Sequence, residues 1–181
     1  MANRTRKVVV SLDTYLSILA VVSSFCAIGI TFYQAYLQRT QQYASVMPIL
    51  DSYNTSKMED GNYGYAIMIG NNGLGPAFIE EASFNYAGKA YASVSDFENA
   101  ILKQAHVVDS TSMVSDLWKE QVIPQGERVA LIELRNKKAE RAIRESLSKV
   151  KITIVYKSVY GEKWRHTFPP GRNSVQNVKV E

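Results

Sequence analysis

Few side chains in this sequence are able to do chemistry, and they stand far apart. The two histidines, His106 and His166, have neither a second histidine nor a carboxylate at the spacing of a metal site. A nucleophile with a base and an orienting group would need partners from distant stretches of chain. The adjacent carboxylates Glu80 and Glu81 point to opposite faces if they lie in a strand, so they form no acid–base pair by themselves. Gly70, Gly73 and Gly75 suggest a phosphate cradle, but such a loop leads into a helix N-terminus with a lysine at fixed distance. Here Pro76 and an apolar run follow, which reads as a turn. The one cysteine, Cys26, lies inside an apolar segment, leaving the rest of the chain without a disulfide or a thiolate metal site. No catalytic residue, metal ligand or cofactor is assigned, and an enzyme is not expected.

Two surface sets remain. Arg135, Lys137, Lys138, Arg141 and Arg144 gather on a predicted helix and its flank, against Glu140 and Glu145. A solvated face laced with i to i+4 pairs explains them, and contact with an anionic partner is the alternative. Trp118, and Tyr160 at a predicted turn, are candidate exposed aromatic contacts. The net charge of +4 includes Arg4, Arg6 and Lys7; from Gln38 onward 18 basic side chains face 16 acidic ones. That balance is too even for a nucleic-acid footprint, and no nucleic-acid partner is expected.

The elements that must position these residues begin with a membrane segment. After a basic stretch over 1–13, the 24 residues from Thr14 to Leu37 carry no formal charge. A helix of that length reaches roughly 36 Å, enough for a hydrocarbon core of about 30 Å. The run is too long for a cleaved signal peptide and has no clean small-x-small stop, so it reads as an uncleaved signal anchor. Bulky Phe25 before Cys26 argues against a lipoprotein site. The basic residues ahead of the helix, against Arg39 alone just after it, predict a cytoplasmic N-terminus and an extracytoplasmic domain at the inner (plasma) membrane. Ser17, Ala20, Ser24, Ala27, Thr31 and Gln34 recur at spacings of three and four, a seam of small and polar side chains on one face. Ser23 and Gly29 lie off it, as chance would also allow. The seam predicts a homo-oligomer or pairing with another membrane helix, because Gln34 is costly to leave facing lipid.

A linker over 38–44 then leads into a soluble domain over 45–168, followed by a polar tail over 169–181. Strands are predicted at Ser45–Leu50, Tyr63–Ile69, Ala77–Tyr86, Lys89–Ala92, Glu120–Ile123 and Arg128–Leu134, with a final hairpin at Val150–Lys157 and Lys163–Phe168. Ser56–Gly61 reads as a turn, and Val107–Asp116 is ambiguous. Ser95 is the predicted cap of a first short helix over 96–104, and Asn136 of a second running to about Ser148. The fold class is thus mainly β with two short helices: an antiparallel sandwich of immunoglobulin-like character, or alternatively a small β-barrel with appended helices.

Three stretches carry a resemblance: Gln41-Gln42-Tyr43-Ala44-Ser45-Val46-Met47-Pro48, Asn71-Asn72-Gly73-Leu74-Gly75-Pro76-Ala77, and Tyr156-Lys157-Ser158-Val159-Tyr160-Gly161-Glu162-Lys163-Trp164. Together they resemble a loose group of small, mostly uncharacterised bacterial proteins with one N-terminal membrane helix and a β-rich domain. The resemblance implies that architecture and no activity. Members often carry cysteine in the segment matching Tyr156–Ser158, which this chain lacks. The sequence therefore leads to a non-enzymatic, single-pass membrane protein whose domain binds a protein partner or scaffolds a complex. A membrane effector with a cytosolic domain for a small anionic ligand is the first alternative, and an enzyme with a dispersed site the last.

Overall fold

A computed structural model describes residues 11–57, 63–107, 112–170 and 175–180. The basic residues Arg4, Arg6 and Lys7 and most of the predicted turn at Ser56–Gly61 lie outside the described residues. The chain divides into two compact units, Met1–Ala44 and Ser45–Glu181.

Among the described residues the first unit is one helix, α1 (Leu12–Ser45), long and apolar enough to cross a membrane, with none of its residues buried. It runs unbroken through the predicted linker. Nothing in Gln38–Ala44 stops a helix, since the stretch holds neither glycine nor proline and Thr40 returns its hydroxyl to the Tyr36 carbonyl.

The second unit is a sandwich of two antiparallel sheets. Sheet A has the order β1 (Leu50–Lys57), β2 (Tyr63–Asn71), β7 (Arg128–Leu134), β5 (Ser112–Val114). Sheet B has the order β10 (Asn177–Val180), β9 (Lys163–Phe168), β8 (Val150–Lys157), β3 (Ala77–Tyr86), β4 (Lys89–Tyr91), with β6 (Val122–Ile123) also paired to β3. The chain changes sheets repeatedly: the β1–β2 hairpin is in A, β3–β4 in B, β5 in A, β6 in B, β7 in A, and β8–β10 in B. Two open sheets around one core answer the barrel alternative.

Period-two alternation sets which faces meet. Tyr65, Ile67 and Ile69 from sheet A, and Val150, Ile152, Ile154 and Tyr156 from sheet B, are buried in the same apolar core. Two helices join that core. In α2 (Val94–Gln104), Val94, Phe97 and Ile101 fall on one face, and the Phe97 ring lies 6.1 Å from Phe84 and 6.4 Å from Tyr91. The cap of α2 is Ser93, whose hydroxyl accepts from the Asp96 N–H at 3.0 Å, and not Ser95. Starting the helix two residues early lets Val94 join the buried stripe. In α3 (Lys137–Ser146), Asn136 caps as expected, accepting from Lys138 N–H at 2.8 Å, and Ala139, Ala142 and Ile143 are buried.

Other boundaries also differ from those read in the sequence. The first strand is Leu50–Lys57 and not Ser45–Leu50, because α1 occupies Ser45 and Pro48 cannot donate to a ladder. The strand predicted at Glu120–Ile123 is confined to Val122–Ile123. Within the polar tail over 169–181, Asn177–Val180 forms the edge strand β10 on β9.

Candidate functional site

The most concentrated polar chemistry lies between the sheets, where β1 meets β8, β9 and β10. His166 on β9 is fully buried, and Ser52 on β1 nearly so. The His166 Nε2 is 2.8 Å from Ser52 Oγ, and its Nδ1 is 3.1 Å from Asn177 Oδ1. Asn177 donates through Nδ2 to the Leu50 carbonyl at 2.7 Å, which fixes its amide orientation and makes Oδ1 the acceptor. His166 Nδ1 therefore carries the proton, Nε2 accepts, and the Ser52 hydroxyl donates to it. The Tyr156 hydroxyl donates to the same Asn177 oxygen at 2.9 Å and accepts from Leu50 N–H at 3.4 Å.

A hydroxyl donating to a neutral imidazole whose other nitrogen is held by a carbonyl oxygen is the relation used to activate a nucleophile. Here it faces inward. Ser52 is 6% exposed and His166 0%, so an acyl group has no room at Oγ unless β1 leaves the sheet. Asn177 is also neutral and gives an imidazolium less support than a carboxylate. What the arrangement does is tie the edge strand of sheet A to three strands of sheet B with every polar atom satisfied. Pairwise reasoning along the sequence missed this cluster, since its hydrogen-bonded partners are separated by 11 to 127 positions. The one available signal was polar Ser52 at an inward position of a strand.

Burial holds the His166 imidazole below its ordinary value near 6.5, against opposing contributions from the Asn177 hydrogen bond and the Asp51 charge. Below that value the unfolded chain takes up a proton that the folded chain refuses. Stability is therefore lost as pH falls through about 6.5, at up to about 1.4 kcal/mol per pH unit, until the folded-state value is reached. Urea midpoints measured between about pH 7.5 and about pH 5.5 should fall for the native chain and stay flatter for His166→Gln. Parallel curves would contradict this. Glu98, whose pKa burial raises, acts in the opposite sense, losing stability as pH rises through the carboxylate range. Comparing the two chains at each pH isolates the histidine. Burial likewise pushes the Tyr156 phenol up to about 12.

The basic set on and beside α3 is largely engaged within the protein. Arg144 Nε bonds Glu140 at 2.8 Å, its other end reaches Ser56, and its guanidinium lies 4.5 Å over the Tyr65 ring. Arg141 pairs with Glu145 at 3.0 Å and Arg135 with Glu133 at 3.4 Å; Lys137 and Lys138 sit in the exposed first turn. A groove between α2 and α3, lined by Tyr86, Ile101, Ala142, Glu145 and Lys149 among others, includes none of the five. The structure does not converge them on that groove. Among the described residues no group of His, Cys, Asp and Glu is arranged to hold a metal ion.

Glu80 is the extra residue of a β-bulge, where Ile79 opposes Tyr156 and Glu81 opposes Val155. The bulge turns Glu80 onto Lys157 and Lys163, whose hydrogen bonds hold its pKa below the ordinary carboxylate value, while Glu81 remains exposed.

On α1 the seam residues Ser17, Ala20, Ser24, Ala27, Thr31 and Gln34 are all exposed. Each hydroxyl donates to a carbonyl one turn back, Ser17 to Asp13, Ser24 to Ala20 and Thr31 to Ala27, all at 2.8 Å. Their protons are thus used inside the helix, so the seam offers close backbone approach and acceptor oxygens, with Gln34 the one amide.

Trp118 and Tyr160 are 63% and 49% exposed and stand at the same end of the sandwich. β3 begins there, paired to the last residue of β8 through Phe78 and Lys157 and to β6 through Phe78 and Val122. The Trp118 turn hydrogen-bonds to Ile79 through Glu120 and Gln121, and Tyr160 lies in the β8–β9 turn. Against this geometry, a scan of protein-family models finds none that matches the chain, and a search of curated proteins finds no match either.

Proposed function

We propose that this is a non-enzymatic single-pass membrane protein, anchored and self-associating through α1, whose sandwich domain binds a protein partner or scaffolds a membrane complex. The observation that carries the reading is the helix itself: 34 residues, apolar through its first two thirds, with none of them buried. Such a surface requires lipid or another helix to cover it. The seam supports the second of these, because small side chains let two backbones approach and Gln34 has hydrogen-bonding capacity that lipid cannot satisfy. The immunoglobulin-like character of the domain belongs to the same proposal, resting on two antiparallel sheets that exchange strands around a single core. We place the protein in the inner (plasma) membrane with its N-terminus in the cytoplasm, on the charge bias of Arg4, Arg6 and Lys7.

Two measurements on the full chain test this. Oxidation of membranes should yield a dimer through Cys26 that Cys26→Ser abolishes, and Gln34→Leu should reduce its yield several-fold, the effect of losing about 1 kcal/mol per interface amide. A crosslink yield indifferent to Gln34 would remove the seam from the proposal. A reporter fused after Glu181 should be active outside the cytoplasm. Activity only inside would overturn the orientation and favour the effector with a cytosolic ligand-binding domain.

A further inference from the structure

We infer that the end of the sandwich at which the chain enters from α1 is a lipid-contacting surface, seated in the headgroup layer of the bilayer; the inference rests on the reading that α1 spans. Ten large hydrophobic side chains of the domain are exposed among the described residues, and seven of them belong to this end: Met47, Ile49, Leu74, Trp118, Val122, Val159 and Tyr160. The other three are Met113, Val175 and Val178. Sheet register fixes the seven together. Leu50 opposes Asn71, Gly70 opposes Arg128, Ala77 opposes Ile123 and Phe78 opposes Lys157, so the loops 46–49, 72–76, 124–127 and 158–162 open at the same ends of their strands, and the Trp118 turn lies beside them, bonded through Glu120 and Gln121 to Ile79, the third residue of β3.

What covers this surface is argued from the chain path. The residues directly after α1 are built into it: Leu74 N–H donates to the Met47 carbonyl at 3.0 Å, Asn72 N–H to the Ile49 carbonyl at 2.9 Å, and Asn71 Oδ1 accepts from Ile49 N–H at 3.2 Å. The charge-free segment ends at Leu37 and α1 ends at Ser45, eight residues later, an axial distance of about 12 Å. The headgroup layer is roughly 5–8 Å deep on each side, so the domain begins within a few ångströms of it. Tryptophan and tyrosine beside aliphatic tips are the side chains that favour that layer, and Lys119 next to Trp118 adds a charge suited to headgroup phosphates. Several carboxylates here are already neutralised, Glu80 and Glu120 by Lys157 and Lys163, and Glu162 by Lys179.

The two tryptophans give the test its readout. Trp164 is 5% exposed and stacked on Tyr156, whereas Trp118 is exposed, so lipid-borne quenchers distinguish them. The full chain is reconstituted in phosphatidylcholine–phosphatidylglycerol vesicles with ordinary acyl chains or with chains brominated near the glycerol. Trp118 emission should fall by about half or more in the brominated vesicles, as for an aromatic seated at the interface, and the Trp118→Phe chain should show no such loss. A Leu74→Cys probe in a Cys26→Ser background, labelled with a polarity-sensitive dye, should report the same transfer from water, with Met113→Cys remaining aqueous. Equal emission in both vesicles, from a chain that resists alkaline carbonate extraction, overturns the lipid contact and leaves the spanning reading intact. Trp118 shielded from aqueous quencher only when a second protein is bound also overturns it, assigning the surface to that protein. Release by carbonate removes both.

Discussion

Replacing Asn71 with alanine is expected to cost the sandwich about 4 kcal/mol, enough to lower its thermal midpoint by roughly 10 °C or more. The side chain is fully buried and does four things at once. Its Nδ2 donates to the carbonyls of Gly75 at 2.8 Å and Ile123 at 2.9 Å, while Oδ1 accepts from the N–H groups of Gly73 at 3.0 Å and Ile49 at 3.2 Å. Alanine leaves these four backbone groups without a partner where water has little access, and each such group costs about 1–3 kcal/mol. Asn71→Asp keeps the shape and the acceptor but loses both donated bonds and buries a charge, so it should be no milder. Circular dichroism melts of the full chain in mild detergent measure the loss. A change below about 1 kcal/mol for Asn71→Ala would mean that the loop 72–76 is held by other means.

Gly75→Ala should cost about 3 kcal/mol or more, for a steric reason. A Cβ at Gly75 would overlap the Val46 carbonyl group and stand 2.8 Å from Val46 Cα. The obstruction is backbone, so no rotamer change relieves it; either the 46–49 segment or the 72–76 loop must move. Gly73 is crowded in the same way, with Pro48 C at 2.6 Å from its hypothetical Cβ. Gly88 is the control, at positive φ but in open space, where alanine should cost only about 1–2 kcal/mol of backbone strain. Denaturant midpoints should therefore rank Gly88→Ala well above Gly75→Ala. Equal midpoints would show that the approach of the two segments can loosen freely.

The parts of the fold that were legible are those whose information is local. Tyr65, Ile67 and Ile69 in β2, and Val150 through Tyr156 in β8, alternate strictly, and the turn at Ala87-Gly88 closes a hairpin with both residues at positive φ. Asn136 is read as a cap from its position alone. β1 was not legible in its true place because its sequence, Leu50 to Lys57, is mostly polar: it buries Ser52 where a hydrophobic residue is the usual signal, and only His166 across the sandwich explains that choice. β10 was hidden likewise, since Asn177 serves residues up to 127 positions away. The Ser93 cap was missed by two residues because serine occurs at both positions and only tertiary burial of Val94 decides between them. Trp118 and Tyr160 were singled out separately as aromatic contacts; that they stand at one end follows from strand register and from no feature of either local sequence.

The bonds around Leu50 and Asn71 also determine how the domain bears mechanical load. Tension applied at Val46 meets the bonds at Met47 and Ile49 within three residues. From there the path divides. Through Asn71 it passes to β2 in one sheet and to Ile123 in the other, and through Leu50 it passes to Tyr156 and Asn177. Force is thus shared between both layers from the first strand onward, and a strand cannot be stripped from one sheet while the other stands unstressed.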